Sequence, residues 1–384
     1  MKIGAVVCEY NPFHNGHKYQ LDYARDILCL DAIVGIMSGN FVQRGDVAIY
    51  PKENRAKAAL MGGLDLVLEL PTVLTLQSAE RYAYNAVATL DALGCVDVLF
   101  FGAECPDTDL LMRIAEVLAV ENEAFQSVLR ERLAIGRSFA AARAEAIREV
   151  IGSASAEILS KPNNILAVEY CKAIIRLNSK IIPFAIKRKE VDHNSKIITN
   201  QFASATAIRE RILNNEDVTK LIPQEAMEIY SRLEPYNISK MDKAILANLC
   251  LMPLDRIKEV VDVSEGLENS LKKGALSSKN CNELIEKTKS KRYAYSRIRR
   301  IVLNSYLGIT NEDAKLSPSY IRILDFNEKG QSVLNFAKGT ATLPLAKNGG
   351  QIKGNDKAQS LWQRELAIDR VYDLFKGTKK EAEE

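Results

Sequence analysis

Residues 3–17, IGAVVCEYNPFHNGH, constrain the fold more than any other stretch. A short apolar run passes directly into an Asn-Pro turn and then into HNGH, which opens a helical stretch expected over His17–Leu30. Two of the chain's three histidines, His14 and His17, therefore stand at a strand–turn–helix junction. Such a junction presents unpaired backbone N–H groups and the positive end of a helix dipole, a ready site for an anion. Gly16 permits the close backbone approach a phosphate needs. The imidazoles can donate to the phosphate oxygens of a nucleotide as charge develops during displacement. The plainer alternative is a turn whose histidines face solvent. His193, in VDHN, reads as a surface-loop residue or a third nucleotide contact.

The following 170 or so residues repeat this alternation. Nearly continuous apolar runs occur at Ile3–Cys8, Ala32–Met37, Leu64–Leu70, Val96–Phe101 and Lys180–Lys187, with helical periodicity between them. The pattern predicts an α/β fold with a Rossmann-like, doubly wound parallel sheet. In such sheets ligands bind at the carboxyl ends of the strands. An Ala-, Arg- and Glu-rich helical insertion is expected at about 121–161. The length of 384 residues suggests more than one domain. We expect a nucleotide domain over 1–215 and a mostly helical domain over 216–384, the latter containing a strand at YIRILDF and a closing helix at Gln359–Phe375.

Composition removes several classes. Apolar residues at 47% and charged residues at 26% fit a folded globular chain rather than a disordered one. Seven cysteines include no CxxC pair, which argues against a zinc ribbon, a redox motif or a disulfide scaffold and favours reduced thiols in the cytoplasm. No apolar run approaches the roughly 20 residues of a membrane span, and MKIGAVVCEY is too short for a signal peptide. Neither GxGxxG nor GxxxxGK is present, so dinucleotide-fold and P-loop readings lack their phosphate loop. No metal-ligand cluster stands out; Glu9 and Glu104, at strand ends, bind Mg²⁺ or merely cap.

Net charge is only +3, yet residues 286–303, EKTKSKRYAYSRIRRIVL, alone carry +6. Tyrosines between cations suit phosphate contacts combined with base stacking, and a solvated helix face is the ordinary alternative. Lys289, Lys291, Arg292, Tyr295, Arg297, Arg299 and Arg300 are the candidate RNA contacts. Further candidates come from Ser204-Ala205-Thr206-Ala207-Ile208-Arg209, a capped helix start offering hydroxyls from Ser204 and Thr206 and an arginine one turn in.

HNGH after a first strand, followed by SATAIR, resembles the HIGH-motif nucleotidyltransferase superfamily. EYNPFHNGH, MSGNFVQRGDVA, LDLVLELP, FFGAE, SKPNNILAVEY, SATAIR and SKRYAYSRIRR occur in that order and resemble the bacterial tRNA(Met) cytidine acetate ligase family over essentially the whole chain. The resemblance implies an ATP-dependent acetate–tRNA ligase. Acetate and ATP would give acetyl-adenylate and pyrophosphate; the acetyl group would then pass to N4 of the wobble cytidine of elongator tRNA(Met), releasing AMP. It implies ATP, with Mg²⁺, as cofactor-like substrate, and ATP contacts at Val7, Cys8, Glu9, Tyr10, Asn11, Pro12, Phe13, His14, Asn15, Gly16, His17, Lys18, Tyr19, Gln20, Gly102, Asn163, Asn164 and Arg188. Lys187-Arg188-Lys189 is more basic than that family leads one to expect, so Lys187 competes with Arg188 for the phosphates. His14, His17 and Arg209 are the expected catalytic donors. The loop SGNFVQRG, leaving strand two at the ligand end of the sheet, is the candidate acetate pocket, with Gly39, Phe41 and Arg44; a structural loop arginine is the alternative for Arg44. The rival readings are a small-molecule adenylyltransferase of cofactor biosynthesis, which would not need the basic helix, and a catalytically silent RNA-binding protein.

Overall fold

A computed structural model describes the chain except residues 122, 138, 189–201, 265, 291–292 and 377–384. His193, Lys291 and Arg292 thus lie outside the described residues. The strands are β1 (Ile3–Cys8), β2 (Ala32–Ser38), β3 (Phe41–Val42), β4 (Asp46–Val47), β5 (Leu66–Leu70), β6 (Val98–Ala103), β7 (Ile182–Lys187), β8 (Ile321–Phe326) and β9 (Leu345–Ala346). Seven of them form one sheet in the order β7-β6-β1-β2-β5-β8-β9. The five runs expected from the sequence are all present and mutually parallel.

Alternate residues of these strands enter two cores, one on each face. Ala5, Val34 and Leu66 pack on one side, and Val6, Ile33 and Val67 on the other. Burial on both faces explains the continuous apolar runs. The chain lays down β1, β2 and β5 in one direction, then returns to place β6 and β7 on the opposite side of β1. The resulting switch point, between β1 and β6, is where a crevice must open.

The region expected as an insertion is helical, with helices at Glu123–Ala134, Phe139–Ile151 and Ser153–Ile158. Beyond residue 215 the chain is mostly helical up to Tyr295–Leu307, and then it rejoins the sheet. β8 pairs antiparallel with β5, and β9 extends the sheet beyond it. The sheet therefore crosses the boundary expected at 215/216. The pattern of YIRILDF signalled a strand, but nothing local to it specifies a partner more than 250 residues away.

The closing helix, Asp356–Phe375, anchors itself through buried charge. Lys52 Nζ lies 2.7 Å from Glu69 Oε1 and also pairs with Asp369, while Arg322 Nε lies 3.0 Å from Glu69 Oε2. Glu365, fully buried one turn before Asp369, accepts from Thr72 N–H and Thr72 Oγ1, each at 2.7 Å. The last helix, β5 and β8 are thus tied at one point.

Candidate nucleotide site

The turn leaving β1 is held from several directions. Tyr10 takes a left-handed φ of 44°. Asn11 Oδ1 accepts from Ile49 N–H at 2.8 Å, Phe13 N–H donates to Tyr230 Oη at 3.2 Å, and Arg209 Nη1 donates to the Asn11 carbonyl at 2.9 Å. The helix that follows, Asn15–Ile27, begins two residues before the expected His17 because His14 is its N-cap. His14 Nδ1 accepts from Gly16 N–H at 3.1 Å, and His17 Nδ1 accepts from His14 N–H at 3.3 Å. Glycine is required at position 16 for this cap, since a Cβ there would stand 2.9 Å from His14 Cε1.

The two rings stack with centroids 3.6 Å apart and planes 24° from parallel. Because each Nδ1 is an acceptor, each neutral imidazole carries its proton on Nε2. Burial, reinforced by the Arg188 and Arg209 charges, pushes His14 down to about 3. Burial, then His14 and Arg188, hold His17 well below the ordinary histidine range. The pair therefore offers two neutral Nε2–H donors without a proton to lose at physiological pH.

A cleft of about 590 Å³, open solvent included, lies beside them. His14, Gly16, His17, Tyr19 and Gln20 border it on the helix side; Gly102, Ile186, Lys187 and Arg188 come from the ends of β6 and β7; Ser204 closes it. The cleft sits at the switch point. Phe202, Ala203 and Ile186 also line it and were missed by the sequence reading, although they directly adjoin SATAIR and Arg188. Arg188 is exposed beyond the end of β7; desolvation at the cleft lowers its pKa, partly offset by Glu104.

Several expected contacts also build the walls. Val7 and Cys8 are strand residues, the Cys8 thiol pointing to the Ile36 carbonyl at 3.6 Å. Tyr10, Pro12 and Phe13 are buried in the turn. Asn15 Nδ2 donates to the Lys220 carbonyl at 2.9 Å, and Lys18 pairs with Asp22 at 3.2 Å. Glu9 Oε1 accepts from Gln43 N–H at 3.0 Å. Glu104 caps the helix Pro162–Arg176, taking Asn163 Nδ2 at 2.7 Å and Asn164 N–H at 2.8 Å, while Asn164 Oδ1 accepts from Cys105 N–H at 2.9 Å. Ser204 Oγ caps its own helix through Ala207 N–H at 3.1 Å, and Thr206 Oγ1 accepts from Arg209 at 3.2 Å. Arg209 acts as a brace between SATAIR and the histidine turn.

The structure does not gather the expected acetate residues at the cleft. Gly39 faces the Glu69 and Glu365 carboxylates. Phe41 is fully buried, edge-on to Tyr372 at 6.1 Å. Arg44 is exposed at the tip of the β3–β4 hairpin, where its charge acts on both Arg188 and Arg209. The physical reason is the switch point: β2 leaves the sheet on the closed side of β1, and β6 on the open side.

The basic segment forms the helix Tyr295–Leu307, much of its charge turned inward. Arg300 is buried, 3.1 Å from Asp262, and does not face solvent as expected of an RNA contact. Arg297 donates to the Asp262 carbonyl at 2.6 Å, and Lys289 pairs with Glu286 at 2.7 Å. Tyr295 is exposed, with Lys289 and Arg299 each 5.9 Å from its ring centre. Gly45, in the hairpin tip at φ 75°, lies so close under this helix that a Cβ would stand 2.5 Å from Arg300 N.

Among the described residues, one acidic group, Glu69, Glu365 and Asp369, has the spacing to hold a metal ion. Lys52 and Arg322 already pair with it. No described helix is long and apolar enough to cross a membrane.

A mostly parallel sheet with paired histidines at the start of its first helix defines a class of nucleotide-transferring enzymes, and the HIGH Nucleotidyl Transferase family matches the chain over residues 1–384. The chain is 39% identical, over 97% of its length and 98% of the relative's, to a tRNA(Met) cytidine acetate ligase of Clostridium kluyveri. It is 41% identical to one of Caldicellulosiruptor bescii, covering 97% of this chain and 94% of that one. The apo crystal structure of Thermotoga maritima TmcAL superposes with a TM-score of 0.95 at 33% identity, covering 98% of this chain and 96% of that one. A second form, bound with alpha-thio ATP, gives 0.92 at 33% identity, covering 99% and 96%. The chain belongs to the tRNA(Met) cytidine acetate ligase family of HIGH nucleotidyl transferases.

Proposed function

We infer that the chain binds ATP in the His14–Arg188 cleft, activates acetate as acetyl-adenylate, and acetylates N4 of the wobble cytidine of elongator tRNA(Met) in the cytoplasm. The stacked, neutral His14–His17 pair at the switch point carries this reading. The relatives' names and the alpha-thio ATP bound by a structure 33% identical supply the substrates.

The chemistry fits the residues. An acetate oxygen attacks the α-phosphorus, and pyrophosphate leaves with the bonding pair. The two Nε2–H groups donate to phosphate oxygens that gain charge, and Lys187 and Arg188 offset the charge of the departing pyrophosphate. Cytidine N4 then attacks the acetyl carbon, AMP leaves, and N4 loses a proton. Mg²⁺ would neutralise triphosphate charge, held mainly by phosphate oxygens and water. Tyr295, Lys289 and Arg299 remain the surface for RNA. Phe41 and Gly39 have no part in the acyl pocket on this reading.

Acetate-dependent exchange of pyrophosphate into ATP, followed by transfer of labelled acetate to bulk tRNA, tests both steps. Exchange driven by a nucleotide-cofactor precursor instead of acetate would favour the small-molecule adenylyltransferase.

A further inference from the structure

Arg55 lies in the helix Lys52–Met61 and is wholly inaccessible to solvent. Its bonded acceptors among the described residues are four backbone carbonyls. Nε donates to Tyr50 O at 3.0 Å, Nη1 to Glu9 O, and Nη2 to Ser38 O at 3.1 Å and to Gly39 O. No carboxylate forms an ion pair with it among those residues. Removing it would leave those four carbonyls without their donor, which costs stability in itself. A planar fork also fixes several acceptors at once, which an ammonium or an apolar side chain cannot do.

The acceptors identify what is fixed. Glu9 and Ser38–Gly39 are the points at which β1 and β2 leave the sheet. Five residues beyond Glu9 stands His14. Arg209 holds the same turn from the opposite side through Asn11 O. We propose that Arg55 is a positioning residue for adenylation: it locks the turn after β1 to the end of β2 and so fixes where the His14 and His17 Nε2–H donors stand. The clamp also shuts the sheet end between β1 and β2, confining ATP and acetate to the β1–β6 side. The proposal rests on the nucleotide reading of the cleft.

The test compares R55K and R55A with the wild type in three measurements: ATP affinity by calorimetry, acetate-driven pyrophosphate exchange, and the side-chain NMR signals of the three histidines. The cleft walls from β6, β7 and Ser204 are untouched, so ATP affinity should change little while kcat falls about 100-fold, the scale of a displacement near 1 Å. Guanidinium ion, at concentrations that leave the wild type folded, should restore part of the R55A rate and none of the R55K rate. The His14 and His17 signals should move in both variants. Wild-type kcat in R55K, or unmoved His14 and His17 signals, would overturn the proposal. If R55A fails to fold, R55K decides alone. A wild-type protein inactive with acetate would refute the proposed function, and the histidine signals would still decide the role of Arg55.

Discussion

Arg299 reaches from the basic helix to Asp46 on the β3–β4 hairpin, 2.6 Å away, and so joins the proposed RNA surface to the loop beside the nucleotide cleft. Its neighbour Arg300 is spent on Asp262. Replacing the exposed groups of the helix and replacing Arg300 should therefore have different results. K289Q with Y295A should leave acetyl-AMP formation unchanged, raise the tRNA KM, and reduce the salt dependence of binding by just under one unit of slope for each lost phosphate contact. R300Q should instead lower the melting temperature, because Asp262 loses its buried partner. A K289Q/Y295A protein that binds tRNA normally at two salt concentrations would show that the helix face is merely solvated.

His14→Ala removes both a phosphate donor and an N-cap, the latter worth about 1 kcal/mol. His14→Asn retains a capping acceptor and separates the two roles. We expect it to melt near the wild type while acetyl-AMP synthesis falls about 100- to 1,000-fold. His17→Ala should lose activity on the same scale.

The histidine pair also sets an acid limit. In the folded chain His14 titrates near 3, against 6.5 for a free histidine, so between those values the unfolded chain binds more protons. Stability should fall as the pH drops from about 6.5 towards 3. Urea titrations across that window should show a shallower slope for a chain carrying His14→Asn.

Glu365 works in the opposite direction. Burial first, then Glu69 and Asp369, push its carboxyl up to about 8, so it is protonated in the fold at neutral pH. The folded chain binds the extra proton between 4.5 and 8, and stability should decline as the pH rises through that range. E365Q, neutral at every pH, should melt higher than the wild type at pH 9 and show a flatter profile.

Phe41→Ala should now be read as a core deletion, costing about 3–5 kcal/mol. The ratio of acetate to propionate use should not change, since the ring packs on Tyr372. A rise in propionate activation would return the acyl pocket to the β2 end.

The strands and the histidine junction were legible because each is a local signal: a continuous apolar run, a turn, a cap. The sheet edge was not, because β8 finds β5 across more than 250 residues. Arg55 was invisible for a related reason. A lone arginine in an amphipathic helix carries no mark of the carbonyls it will meet, and three of its four partners lie 16 to 46 residues away. The acetate loop was assigned to the correct end of the sheet but to the closed side of β1; strand order, which the one-dimensional pattern does not encode, makes that distinction.

The anchoring of the last helix bears on how the chain matures during synthesis. Lys52 and Glu69 are made early, yet Asp369, which completes their charge balance, comes 317 residues after Lys52. Until then a buried ion pair lacks its third member. A ribosome paused before the final helix holds a nucleotide fold that cannot close, so truncation near the end should yield aggregates rather than a shortened enzyme. The charge cluster under β5 depends for its completion on a side chain made 317 residues after Lys52.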